Sequence, residues 1–195
     1  MHTTPRSVCL TAFFAAVASF AAGPASAAVE VFGTGMAHIC SDAAHHLPQS
    51  QQGEQRAIEA CDFAINSEDL STHDLTGSHI NRGVLLVSRG DYAAAKQDFD
   101  VAVSLMPTLG EAYADRGAAL LGLRRYADAI AEIDHGLSLN TTEPEKAYFN
   151  RAVADEALDD IQGAYRDYLH AAQLKPDWPQ PRDELTRFTV ATAGT

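Results

Sequence analysis

The residues best suited to chemistry in this chain of 195 residues are its eight histidines, a dense run of carboxylates and three cysteines. His38 precedes Asp42 by one helical turn, and His45-His46 follow close behind. An imidazole and a carboxylate on one helix face are the raw material of proton transfer, and histidines at helical spacing are that of metal binding. The spacing argues against both. His45 and His46 are adjacent instead of three or four residues apart, no glutamate leads into them and Pro48 follows, so they read as solvated loop residues. No HExxH, GxSxG or Gly-rich phosphate loop occurs anywhere in the chain. Asp155, Glu156, Asp159 and Asp160 gather negative charge at the end of a helix-patterned segment, where it opposes the helix dipole. Contact with a cation or basic peptide is one reading of that charge, and plain solvated surface is the other. No catalytic residue, cofactor or metal ligand is assigned, and the chain is expected not to be an enzyme.

Charge narrows the partners. Fourteen basic residues stand against 26 acidic ones, a formal charge of -12, whereas phosphate binding needs concentrated Lys and Arg; nucleic acid is excluded as a partner. At the N-terminus Arg6 precedes a small and apolar run from Val8 to Ala22. Gly23-Pro24 then leads into Ala25-Ser26-Ala27-Ala28, with small residues where a signal peptidase reads. The pattern predicts a signal peptide over 1–28 and export from a bacterial cytoplasm to the periplasm or beyond. The apolar run falls short of the roughly 20 residues that span a bilayer, so no membrane span is expected after cleavage; a retained anchor is the alternative. Cleavage would leave two cysteines, Cys40 and Cys61. An even pair in an oxidising compartment suggests a disulfide, with two buried thiols as the alternative.

The elements that must position any site repeat. Residues 76–109, 110–143 and 145–178 are three copies of one unit of 34 residues. Small residues recur at position 8 (Gly83, Gly117, Ala152), position 20 (Ala95, Ala129, Ala164) and position 27 (Ala102, Gly136, Ala171). Larger ones recur at position 17 (Tyr92, Tyr126, Ile161) and position 24 (Phe99, Ile133, Tyr168), and Pro107 and Pro176 stand at position 32. Copy two carries Thr141 in place of that proline, and Pro144 is placed to start the next helix. Two antiparallel helices cross closely only where small side chains face each other. Upstream, Ala57, Ile58, Cys61 and Ala64 keep the second-helix spacing, with Cys61 at position 24 of a degenerate unit. Arg82, Arg116 and Arg151 recur at position 7, and Asp98, Glu132 and Asp167 at position 23, which suggests a structural bridge within every unit.

These residues and their spacing resemble the tetratricopeptide repeat. The resemblance implies an all-α superhelix with three full repeats and a partial N-terminal one. The chain then divides into the leader (1–28), an irregular cap with a half repeat (29–75), the repeats (76–178) and a C-terminal cap and tail (179–195). A short closing helix over 182–190 is expected to place Leu185 and Phe188 on the last apolar face. A bond from Cys40 to Cys61 would tie the irregular cap onto the stack.

In the resembled family the inner wall of the arc comes from the first helix of each unit. Carried onto this chain, the groove candidates are Ile80, Val84, Val87, Glu111, Ala114, Leu121, Lys146, Phe149, Val153 and Glu156. That wall is apolar with an acidic edge and lacks the Lys, Asn and Arg with which some family members clamp a peptide carboxylate. The implied function is a periplasmic adaptor or scaffold holding an apolar or basic segment of a protein or peptide. The alternatives are a structural subunit of a cell-envelope complex that uses its convex face or ends, and an envelope enzyme.

Overall fold

The computed structural model describes residues 9–12 and 35–191. Within them the helices are α1 (Met36–His45), α2 (Gln51–Ser67), α3 (Thr72–Arg89), α4 (Tyr92–Leu105), α5 (Gly110–Gly122), α6 (Tyr126–Ser138), α7 (Pro144–Ala157), α8 (Ile161–Leu174) and the short α9 (Gln180–Leu185). Two short strands, β1 (Cys9–Ala12) and β2 (Phe188–Ala191), pair antiparallel with Cys9 opposite Ala191. The first eight helices pack as consecutive pairs, each pair resting on the next. The expected all-α solenoid of paired helices is what the chain builds.

Local chemistry sets the helix ends. Ser50 and Ser71 cap α2 and α3, their hydroxyls accepting the N–H of Gly53 at 3.2 Å and of Asp74 at 3.1 Å. Ser71 Oγ also donates to Asp74 Oδ2 at 2.8 Å. The turn inside each repeat passes through left-handed backbone at position 15: Gly90 at φ 86°, Arg124 at φ 60° and Asp159 at φ 66°. Copy one puts glycine there, the residue that adopts this conformation without steric cost. Copy two, lacking proline at position 32, ends α6 through left-handed Asn140 at φ 60°, and Thr141 N–H donates to the Gly136 carbonyl at 3.2 Å. Pro144 occupies the first turn of α7, where its missing N–H costs nothing.

The helices of a pair meet at the small residues. A methyl group on Gly83 would lie 2.5 Å from Phe99 Cε1, and one on Gly117 would lie 2.5 Å from Ile133 Cγ1. Position 8 of the first helix thus seats the bulky position 24 of the second. In α5 and α6 the backbones themselves touch: a Cβ on Gly136 would stand 2.8 Å from the Gly110 carbonyl oxygen and 2.9 Å from Ala114 N. Phe99, Ile133 and Tyr168, the three position-24 residues, are almost wholly buried.

The partial repeat expected at the N-terminus, with a short first helix from Met36 to Leu47, forms the pair α1 and α2. In the structure Cys40 of α1 and Cys61 of α2 are bonded, S–S 2.11 Å, and both sulfurs are enclosed. Glu68 accepts from the N–H of Met36 at 2.8 Å and of Ala37 at 3.3 Å, so α1 is held at both its start and its middle. The C-terminus differs from expectation. The closing helix stops at Leu185, and Phe188 opens β2, where the run Phe-Thr-Val favours extended backbone. Phe188 still covers the last apolar face, with its ring 5.7 Å from Tyr165 and 5.9 Å from Tyr168. Of the leader expected at 1–28, only 9–12 fall among the described residues, and they form a strand, β1; the expected cleavage site and tail lie outside the description.

Two outcomes follow. Alanine is a better helix former than glycine by about 1 kcal/mol, yet Gly136→Ala will destabilise the chain by about 1–3 kcal/mol in urea unfolding, because the added methyl meets backbone that cannot rotate aside. Cys61→Ser will cost about 3 kcal/mol, and dithiothreitol will lower the unfolding midpoint of the parent chain while leaving that of the variant unmoved.

Candidate functional site

Each repeat carries one arginine bridge. Arg82 Nε donates to Asp98 Oδ2 at 2.8 Å, Arg116 Nε to Glu132 Oε2 at 3.0 Å and Arg151 Nε to Asp167 Oδ2 at 2.6 Å, joining first helix to second. A second nitrogen of each guanidinium reaches back to the preceding unit: Arg82 to Asp62 at 2.6 Å, Arg116 to Asp100 at 3.2 Å, and Arg151 to Asp134. The bridge at positions 7 and 23 was expected; the third partner at position 25 was not. Its signal lay in the sequence, because Asp62, Asp100 and Asp134 recur in register. Asp98 is 5% exposed and Asp167 10%, against 51% and 52% for Asp62 and Asp134, so breaking the contact within a unit, which strands a buried charge, costs more than breaking the contact between units. Burial works to raise the Asp98 carboxyl, but hydrogen bonds from Arg82 and His79 outweigh it and hold the group below its ordinary value.

The inner-wall candidates are nearly all enclosed. Of the ten, nine are buried and Lys146 is half-buried. Ile80, Val84 and Val87 share one apolar cluster with Cys40 and Ala44 of α1 and with Ala112 and Ala119 of α5. Leu121, Phe149 and Val153 share another with Tyr168 and Phe188, and Ala114 packs with Ile133 and Ala147. The Phe149 ring lies 5.3 Å from that of Tyr168 and 5.0 Å from that of Trp178. The acidic edge is engaged as well. Glu111 accepts from the Thr142 N–H at 2.7 Å, and Glu156 accepts from both Arg187 terminal nitrogens, at 2.6 and 2.8 Å, and from the Tyr168 hydroxyl at 3.2 Å. Lys146 donates to Glu143 at 2.8 Å.

The clusters that invited a catalytic reading disperse. His38 and Asp42 stand 3.9 Å apart in solvent, while the Nδ1 atoms of His45 and His46 turn onto the carbonyls of Ser41 and Asp42 at the end of α1. Among the described residues no group of three or more His, Cys, Asp or Glu could hold a metal ion, and no helix is long and apolar enough to cross a membrane. The carboxylates at the end of α7 have local duties. Asp159 takes the left-handed turn, and Asp160 Oδ1 caps α8 by accepting from the Gly163 N–H at 2.9 Å. Their charge therefore faces the positive end of α8 as much as the negative end of α7. Asp155 bears the cost: burial first, then the charges of Asp167 and Asp160, push its carboxyl up to about 6.

No protein-family model matches the chain. Among curated proteins it is similar to the DnaJ homolog subfamily C member 7 homolog of Schizosaccharomyces pombe, 31% identical over 114 residues, which are 56% of this chain and 24% of that one. It is also similar to the Tetratricopeptide repeat protein 4 homolog of Dictyostelium discoideum, 28% identical over 61% of this chain and 30% of that one. The chain thus spans less than a third of the length of these relatives. Among solved structures, the second TPR domain of human RPAP3 in complex with the HSP70 peptide SGPTIEEVD aligns with a TM-score of 0.54 at 22% identity, over 60% of this chain and 97% of that one. The Arabidopsis OM64 TPR domain aligns with a TM-score of 0.56 at 21% identity, over 60% and 96%. The fold is a tetratricopeptide-type solenoid. The curated relatives correct the expectation of a bacterial exported protein, periplasmic or secreted, because they are eukaryotic. The export reading rested on Arg6 ahead of a small and apolar run and on Ala25-Ser26-Ala27-Ala28 after it; residues 9–12 of that run pair with 188–191 of the solenoid's C-terminal end.

The raised Asp155 carboxyl gives a pH dependence of known sign. Its folded value exceeds its unfolded one, so its contribution to stability is fully present below about pH 4 and is lost as pH rises through about 6. Asp155→Asn will raise the thermal midpoint at pH 7.5 by about 2 °C, a gain kept small by partial exposure, and the difference from the parent will vanish by about pH 4.

Proposed function

We propose that this solenoid is a non-catalytic scaffold that binds a protein or peptide through an apolar or basic segment. The fold supports the scaffold reading, since solved domains of this architecture include complexes with the peptides SGPTIEEVD and SRMEEVD. Both of those peptides are acidic. One observation sets the preference of this chain apart: its charge is -12, and the single basic residue among the ten inner-wall positions, Lys146, is neutralised by Glu143. An acidic tail would meet repulsion, with no uncommitted cation among the ten inner-wall positions to receive its carboxylates. A basic segment is drawn in, and apolar residues within it add burial.

Fluorescence polarisation with three labelled peptides tests the preference: a basic amphipathic peptide, a neutral apolar peptide and SGPTIEEVD. The basic peptide is expected to bind most tightly and to weaken as salt rises from about 50 to 500 mM, while the acidic one shows no saturation below about 1 mM. Lys146→Glu is expected to leave basic-peptide binding intact or to strengthen it. Tight binding of SGPTIEEVD that Lys146→Glu abolishes would overturn the reading.

A further inference from the structure

The three arginine bridges are alike, but the space over them is not. In copies two and three a ring pair covers the bridge. Tyr113 at position 4 meets His135 at position 26 with ring centroids 4.3 Å apart, and Tyr148 meets His170 at 4.2 Å. Each tyrosine also lies against its own arginine, with Arg116 5.2 Å from the Tyr113 ring and Arg151 5.2 Å from the Tyr148 ring. Copy one breaks this arrangement at both positions, with His79 where the others have Tyr and Val101 where the others have His. The imidazole of His79 is turned away to Asp98, Nδ1 to Oδ1 at 2.9 Å. Two rings that fill the space in later repeats are thereby replaced by one smaller ring drawn down onto Asp98 and an isopropyl group.

A cleft of about 370 Å³ opens in consequence between α2 and α4, with α3 as its floor. Ile58, Leu86 and Val101 give it apolar walls, Val101 being 39% exposed at its lip, and Arg82, Asp98 and His79 form its polar side. At 100° per residue positions 4, 7 and 11 of α3 centre about 130° around the helix from positions 5, 9 and 12, so this cleft and the expected inner wall are on different faces of the helix.

We infer that this cleft is a docking pocket for one aromatic side chain of a protein partner, which takes the place that Tyr113 and Tyr148 occupy in the later repeats. The volume lies at the small end of ligand sites and accommodates one ring with room to spare, a benzene-sized group needing roughly 150 Å³. Arg82 is fixed by Asp98 and Asp62, so its guanidinium edges are committed while its face matches the faces that carry Tyr113 and Tyr148. A ring there gains a cation–π contact with a cation already held in place, and apolar burial against Ile58 and Leu86. A saturated group of equal size gains only the burial. The protein-binding reading enters only in naming a side chain as the source of the ring.

The test is methyl NMR on the whole chain, titrated with p-cresol, with 4-methylcyclohexanol and with the peptide acetyl-Gly-Tyr-Gly-amide. A ring over Arg82 shifts the methyl signals of Ile58, Leu86 and Val101 by ring current, which a saturated probe cannot do. p-Cresol and the peptide are expected to produce these shifts saturably, with Kd on the order of 1–10 mM, and 4-methylcyclohexanol to bind about tenfold more weakly. The double variant His79→Tyr with Val101→His rebuilds the ring pair of the later repeats. It is expected to keep its helical circular dichroism, to unfold at a higher temperature and to lose the p-cresol response. Equal binding of the saturated probe, a p-cresol response that survives in the double variant, or no saturable shift up to about 30 mM would overturn the assignment. Binding of p-cresol without binding of the peptide would overturn the side-chain source, and neither outcome depends on which charged peptide the solenoid prefers.

Discussion

The solenoid depends on how closely two helix backbones approach, and in copies one and two that distance is set by a missing methyl group. At Gly83 and Gly117 the first helix of a repeat offers no side chain where the second presents Phe99 or Ile133, and at Gly110 and Gly136 the two backbones touch. Close approach lets a single bulky residue reach from the second helix to the first and be wholly enclosed, so one residue per repeat supplies much of the burial that makes the pair adhere. Wider spacing would leave the same residues half-solvated, and no pair could stack on the next at a constant angle.

Once that distance is fixed, the arginine bridges follow. Arg82, Arg116 and Arg151 each meet an acid sixteen residues on, because the pair spacing brings position 7 opposite position 23 in every copy. The second reach, to Asp62, Asp100 and Asp134, converts a clamp within a repeat into a link between repeats. Exposure of those outer acids means that the link orients more than it stabilises. In this sense the packing decides the fold and the charges decide the stacking register.

Much of this was legible in the sequence, because a feature repeated in phase with the backbone must face the same way each time. The helix pairs, the small-residue crossings and the bridge between positions 7 and 23 could all be read from spacing. The pairing of Cys40 with Cys61 rested on their being the two cysteines left outside the expected leader. The inner-wall positions came from the family resemblance, which is silent on what lies against Val84 or Phe149; both prove buried in the apolar clusters. The third acid at position 25 was in register and was missed because only one partner was sought for each arginine. The charge at Asp159 and Asp160 looked gratuitous while it was assigned to α7 alone; it is explained once the start of α8 lies beside it. The pattern at the N-terminus was read as an address for bacterial export, and the eukaryotic curated relatives overturn that destination.

Gly117 serves the side chain opposite it and not flexibility. A double-mutant cycle of Gly117→Ala with Ile133→Ala, followed by urea unfolding, separates the two. If close approach is the cause, Gly117→Ala is destabilising in the parent chain but neutral or stabilising when Ile133 has been cut back, a coupling of about 1–3 kcal/mol. An equal cost in both backgrounds would mean that the methyl group never met Ile133, and that the helices are held apart by something else.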